Sequence, residues 1–176
     1  TIMALLESTD IAHPAFEALF TIDEETGMTG AFGLKPGFLE GKILLNLDTE
    51  DDDELTIGCA GGINVNAVKE YNEISNGADH KTFYIKINGL SGGHSGMDII
   101  KGLGNANKLM NRLLYQLDQN LNLGIHSING GGLRNAIPRE SEATITVEAD
   151  KLEVLKEVAN RFEKNVRAEH EVTDPE

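Results

Sequence analysis

The chain has one cysteine, Cys59. A single thiol closes no internal disulfide, and nothing marks a secreted disulfide scaffold. Free cysteine is most often a small buried residue, and Cys59 is expected in that role. Basic residues are few: 15 Lys and Arg stand against 29 Asp and Glu, for a formal net charge of −14 and a pI of about 4.7. That balance excludes nucleic acid and anionic membrane as natural partners, since both repel it. It suits divalent cations, which carboxylates bind well. The sequence has no run of about 18 apolar residues to span a bilayer. The opening "TIMALLESTD" has no basic region and no cleavage-like site, so it does not read as a signal peptide. A cytoplasmic protein is the default expectation.

What is present is enough apolar residue, 40% of 176, for one ordinary domain or two small pieces. An apolar helical pattern is already running at Ile2, Met3, Leu5 and Leu6, and "EHEVTDPE" closes no obvious element at the other end. The expectation is an internal piece of a longer protein. Residues 1–8 read as the end of a helix, and "STDIAHP" as a turn, with Pro14 disfavouring helix at His13. "FEALFTI" (16–22) and "GKILLNLD" (41–48) read as buried strands of an α/β sheet with acids at their carboxyl ends, where such sheets gather their sites. Thr26 to Gly33 is a short helix or a loop. The acidic run 50–54 reads as a solvated turn, and "LTIGCAGG" (55–62) as a further strand.

The texture then changes. "KTFYIKINGL" (81–90) alternates Phe83, Ile85 and Ile87 against Lys86 and Asn88, as a half-buried strand does. Residues 97–117 keep apolar residues at helical spacing, with Asp98 near the start where the helix dipole favours a negative charge. "LGIHSINGG" is a strand, 135–149 contain another with Ala143, Ile145 and Val147 alternating, and 151–170 form a second helix. The order β-α-β-β-α predicts an antiparallel sheet with helices on one face, an α+β piece. The boundary falls near Gly61, giving 1–61 and 62–176.

Three stretches carry chemistry. "TIDEETGMTG" (21–30) sets Asp23, Glu24 and Glu25 side by side. One carboxylate could bind a cation while its neighbour faces a metal-bound water, the arrangement of metal-assisted hydrolysis. Asp48, 23 positions after Glu25, would complete the pair if the strands are neighbours. Surface acids are the plainer reading, and both stand at this point. "GLSGGHSGMD" (89–98) has no lysine for a phosphate loop, and its glycine falls one place early for a nucleophile elbow. It leaves His94 on a glycine backbone just ahead of a helix, either as an oxyanion donor or as an ordinary loop histidine. "GGGLRNAIPRE" (130–140) offers Arg134 and Asn135, either of which could bind a substrate carboxylate or carbonyl. An ordinary solvated β-turn is the alternative.

Taken together, "TIDEETGMTGA", "LLNLD", "GGHSGMDI" and "NAIP" resemble the zinc-dependent aminoacylase and carboxypeptidase family of di-metal exopeptidases, in the wording of its aminoacyl-histidine dipeptidase branch. The resemblance covers essentially the whole chain. It implies Glu24 as general base and acid, Glu25 and Asp48 as ligands of the two zinc ions (cobalt or manganese as substitutes), and His94 as the lid histidine polarising the scissile carbonyl. It places Asn135 in the lid near the substrate, with Arg134 beside it. Asp23 receives no role. The implied fold is an α/β catalytic-domain piece (1–61) followed by the first part of an α+β, ferredoxin-like lid and dimerisation domain (62–176). The implied activity is hydrolysis of small peptides, Xaa-His dipeptides of the β-alanyl-histidine type, in a homodimer. Sister activities in the family are tripeptide cleavage and N-acyl amino acid deacylation. A non-catalytic lid or dimerisation module is the rival from another class. The family's upstream His-x-Asp motif, bridging aspartate and downstream histidine are not identifiable, and "NGADH" (76–80) follows Asp48 in the wrong order. The chain alone is therefore expected to be inactive.

Overall fold

The computed structural model describes residues 1–48, 53–59, 61–63, 65–75 and 77–175. It divides into two compact units, Thr1–Ala67 and Val68–Glu176, each described by itself below.

The first unit contains helix α1 (Ile2–Glu7) and the one-turn helix α2 (Thr29–Phe32). Ser8 ends α1: its hydroxyl accepts from the Asp10 and Ile11 N–H groups and donates to the Asp10 carboxylate, making the expected turn. The strands expected at 16–22, 41–48 and 55–62 are absent among the described residues. A strand must pass its N–H and C=O groups to neighbours, and a parallel sheet must be covered on both faces. Among the described residues Ile43, Leu44 and Leu45 have no strand beside them, and they stay exposed. Cys59 is exposed rather than buried, in a stretch where Leu55 and Ile57 also face solvent. Of the acidic run 50–54, residues 50–52 lie outside the described residues; Asp53 and Glu54 are exposed.

The second unit is α+β. Strands β1 (His80–Ile87), β3 (Gly124–Gly130) and β5 (Ser141–Glu148) form an antiparallel sheet in the order β1-β5-β3. A second, two-stranded sheet pairs β2 (Gly93–His94) with β4 (Ala136–Ile137). Helices α3 (Ala106–Asp118) and α4 (Leu152–Glu169) complete the unit. The period-two alternation of β1 and β5 decides which face is covered. Phe83 opposes Ile145 and Ile85 opposes Ala143, and these side chains turn to the helices. Leu109, Met110, Leu113 and Leu117 meet them from α3, and Leu155, Val158 and Phe162 from α4. Each such side chain contributes roughly 1.5–3 kcal/mol when fully buried. On the polar face, Lys86 reaches Glu140 at 3.1 Å and Glu142 at 3.5 Å. A bulge between Ile125 and Ser127 shifts the register of the edge strand β3.

The helix expected over 97–117 starts later. Residues Ile99–Lys101 form a single 3-10 turn, stopped by Gly102 in the left-handed region (φ 68°). Gly104 then lies so close to Leu90 that an added Cβ would sit 2.7 Å from Leu90 Cδ2. Asn105 caps α3, its side chain accepting from the Lys108 N–H at 3.1 Å. Asp98 therefore does not stand at the start of the long helix.

The two helices are bound to each other and to the loops by charged groups. Arg112 on α3 donates twice to Glu169 on α4, at 3.1 and 2.8 Å, and lies over the Phe162 ring. Asp174, buried beyond α4, accepts from the Ser91 and Gly104 N–H groups, both at 2.8 Å. Burial alone pushes its carboxyl up; the Ser91 and Gly104 N–H groups together with the Thr173 and Ser91 side chains outweigh this and hold it below the usual range.

Candidate functional site

The acidic stretch forms a built turn. Asp23 and Met28 both adopt left-handed backbone (φ 60° and 54°), which L-residues other than Asn and Asp seldom do. The Asp23 carboxylate accepts from the hydroxyls of Thr26 and, at 2.8 Å, Thr29, and its carbonyl accepts from the Met28 N–H. Those hydroxyls, Thr26 first, hold its carboxyl below the usual range. Gly30 closes the loop: its N–H reaches the Ile22 carbonyl at 3.2 Å, and an added Cβ would stand 2.6 Å from Ile22 N. Glu24 and Glu25 are left exposed on the turn. Asp23, given no role from sequence, is thus the residue that shapes the pair. The visible signal was an aspartate with threonines three and six places on, the local side-chain hydrogen bonding that favours turns.

Asp48 is exposed, with its own N–H donating to the Asn46 side chain at 3.2 Å. Sequence reasoning also passed over Glu17, whose carboxylate accepts from the Glu40 and Gly41 N–H groups at 2.9 and 2.7 Å. This ties the start of one expected strand to the start of the other. Among the described residues no three His, Cys, Asp or Glu side chains are grouped to hold a metal ion. A zinc site takes at least three protein ligands. The described residues therefore do not by themselves make a complete metal site.

In the second unit the structure brings His94 and Asn135 together. His94 pairs with Ala136 across β2 and β4, and the Ser95 N–H donates to the Asn135 carbonyl at 2.8 Å. Arg134 and Asn135 occupy the middle of the turn closed by the Ala136 N–H on the Leu133 carbonyl. Both are exposed, and Arg134 has no ion pair among the described residues. The Pro138 carbonyl accepts from the Ala106 N–H at 2.8 Å, anchoring this loop to the start of α3.

The glycines of "GGHSGMD" each have a steric reason. Gly92 takes φ 68°, and an added Cβ on Gly93 would sit 2.9 Å from both Asp98 Oδ2 and Leu103 Cδ1. Gly96 lies under the imidazole, where an added Cβ would be 3.2 Å from His94 Nδ1. His94 Nδ1 faces the N–H groups of Gly96 and Met97 at 3.1 and 3.2 Å. Asp98 Oδ2 accepts the His94 N–H at 2.7 Å, and Asp98 Oδ1 lies 2.6 Å from Lys101 Nζ. Lys101 first, then that N–H, holds the Asp98 carboxyl below the usual range.

No helix among the described residues is long and apolar enough to cross a membrane. The chain is 45% identical over 172 residues to the cytosol non-specific dipeptidase of Escherichia coli (strain K12), a match covering 96% of the chain and 36% of that protein. It superposes on the crystal structure of aminoacylhistidine dipeptidase from Vibrio alginolyticus with a TM-score of 0.68 and 40% identity, covering 99% of the chain and 36% of that structure. The chain thus spans about a third of the length of these relatives. Residues 85–174, half of the chain and most of its packed α+β unit, match the M20 peptidase dimerisation domain, and the chain belongs to that family.

Proposed function

We propose that this chain is part of a cytoplasmic metal-dependent dipeptidase that cleaves Xaa-His dipeptides of the β-alanyl-histidine type. The observation that carries the reading is that His94, paired with Ala136 across β2 and β4, lies next to the turn that carries Asn135, held there by the Ser95 N–H on the Asn135 carbonyl, inside a peptidase-family domain. Two relatives whose names are dipeptidases, one of them acting on aminoacylhistidine, support it.

In this reading residues 1–61 belong to an α/β catalytic domain, whose strands form only when the rest of that domain is present. Residues 62–176 begin a ferredoxin-like lid through which two copies associate. Glu24 removes a proton from the attacking water and later returns it to the leaving amine. His94 donates to the developing oxyanion, and Asn135 and Arg134 hold the substrate's carbonyl or carboxylate. Glu25 and Asp48 would each supply one carboxylate to a pair of zinc ions, with cobalt or manganese as substitutes, which when bound would make the attacking water more acidic. The described residues do not complete that site.

The family's description as a dimerisation domain favours a second reading for the chain alone, a lid and association module without activity. The deciding experiment is hydrolysis of β-alanyl-histidine by the full-length protein, stripped with a chelator and given back zinc. Activity that vanishes and returns upholds the proposal. Cleavage only of other dipeptides, tripeptides or acyl amino acids keeps the chemistry and moves the substrate. No cleavage by the metal-replete protein overturns it.

A further inference from the structure

We propose that the Gly92–Asp98 loop holds His94 in a single tautomer, with the proton on Nε2, and that Asp98 is the positioning residue that sets it. The inference rests on the reading of His94 as the group facing the substrate carbonyl, and deepens it.

A neutral imidazole has one N–H and one bare nitrogen, and its surroundings decide which is which. Nδ1 of His94 faces two backbone donors, Gly96 at 3.1 Å and Met97 at 3.2 Å. A hydrogen on Nδ1 would point at two others, so the proton belongs on Nε2. Nε2 has no hydrogen-bond partner among the described residues, and His94 is exposed. The ring therefore offers one N–H outward, which is what an oxyanion needs. Elsewhere in the chain the arrangement is reversed. Nδ1 of His13 faces the Pro14 carbonyl at 2.8 Å and Nδ1 of His80 faces the Gly77 carbonyl at 3.2 Å. Both carbonyls demand a proton on Nδ1.

Asp98 makes the loop hold this shape. Its carboxylate takes the His94 N–H, and its own N–H donates to the His94 carbonyl at 3.0 Å, so both backbone groups of His94 are held by one residue. Lys101 holds the other carboxylate oxygen. The contact is close because Gly93 has no side chain, and the ring reaches the N–H pair because Gly96 has none. Asp98 touches neither the imidazole's Nε2 side nor Asn135 in this network, and acts through His94.

The test is made in the full-length protein labelled with 15N-histidine, at a pH where imidazoles are neutral. His94 is expected to show a bare Nδ1 and a protonated Nε2, with His13 and His80 reversed. Asp98→Ala is expected to let His94 average between tautomers and to lower kcat for β-alanyl-histidine about tenfold, with KM within about twofold, as a small misplacement of a catalytic group does. Asp98→Asn keeps an acceptor for the His94 N–H and is expected to restore both the tautomer and most of kcat. It also guards against a folding defect in the alanine variant. An averaged or Nδ1-protonated His94 in the unsubstituted protein overturns the proposal. A tautomer unmoved by Asp98→Ala overturns the role of Asp98. His94→Ala is expected to cost about 100-fold in kcat. If it costs nothing while the tautomer is fixed and depends on Asp98, the loop device stands and the substrate-facing reading of His94 falls.

Discussion

"GKILLNLD" (41–48) is more apolar than "SEATITVE" (141–148), yet only the second forms a strand and a core. Ile43, Leu44 and Leu45 are 86, 80 and 78% exposed, whereas Ile145 and Val147 are 0% exposed. No described residue of Thr1–Ala67 is buried. The difference is company. β5 has β1 on one side, β3 on the other and α3 across its apolar face, all supplied from the same unit, Val68–Glu176. Residues 41–48 have no such neighbours among the described residues. Apolar sequence supplies the driving force for burial, and a strand appears only where something receives its hydrogen bonds and covers its face.

The comparison breaks most readily in the second unit. Leu117 is fully buried between the sheet and α4, and Leu117→Ala is expected to cost about 2–5 kcal/mol in denaturant unfolding. A loss below 1 kcal/mol would mean that this core is not the source of the unit's stability. Asp174 comes next. Asp174→Ala leaves the Ser91 and Gly104 N–H groups without their acceptor, at a cost of about 1–3 kcal/mol. Its folded carboxyl lies below the ordinary aspartate value. Its contribution is therefore complete above that ordinary value and is lost as pH falls through the folded one. A stability curve from neutral to acid pH, flatter for Asp174→Asn than for the unsubstituted chain, checks the sign.

These two residues also mark what could be read from sequence. Leu117 was legible, because helical spacing announces a core position. The strands at 81–90 and 141–148 were legible because alternation does the same. Asp174 was not, since its partners are backbone groups 70 and 83 positions away. The late start of α3 was hidden for a related reason: periodicity ran through Met97–Lys101, but Gly102 takes a left-handed turn and Gly104 must press against Leu90. At the candidate site, His94, Asn135 and the glutamate pair were visible as residue types in motifs. The work of Asp23, Glu17 and Asp98 was not, because each acts by accepting backbone or hydroxyl hydrogens whose directions only a folded loop defines. Cys59 was misjudged on the habit of its residue type, which assumes a core that this stretch lacks.

Arg112→Ala is a smaller test of the same unit. It removes a two-pronged pair with the half-exposed Glu169 and the contact with Phe162, and is expected to cost about 1 kcal/mol. An effect near zero would show α3 and α4 held by their apolar faces alone.

The smallest effect is the most informative about the first unit. Leu45→Ala removes a side chain that is 78% exposed, so in the 176-residue chain it is expected to change stability by less than about 0.5 kcal/mol. The proposed function places the same residue in a strand of a complete catalytic domain. There the substitution opens a cavity and is expected to cost about 2–5 kcal/mol in the full-length protein. One substitution measured in two contexts thus separates the two explanations of residues 41–48. A large loss only in the full-length protein means that the segment is a strand awaiting its neighbours. No loss in either means that it is a solvated loop, and that Asp48 at its end has no rigid strand to place it as a ligand.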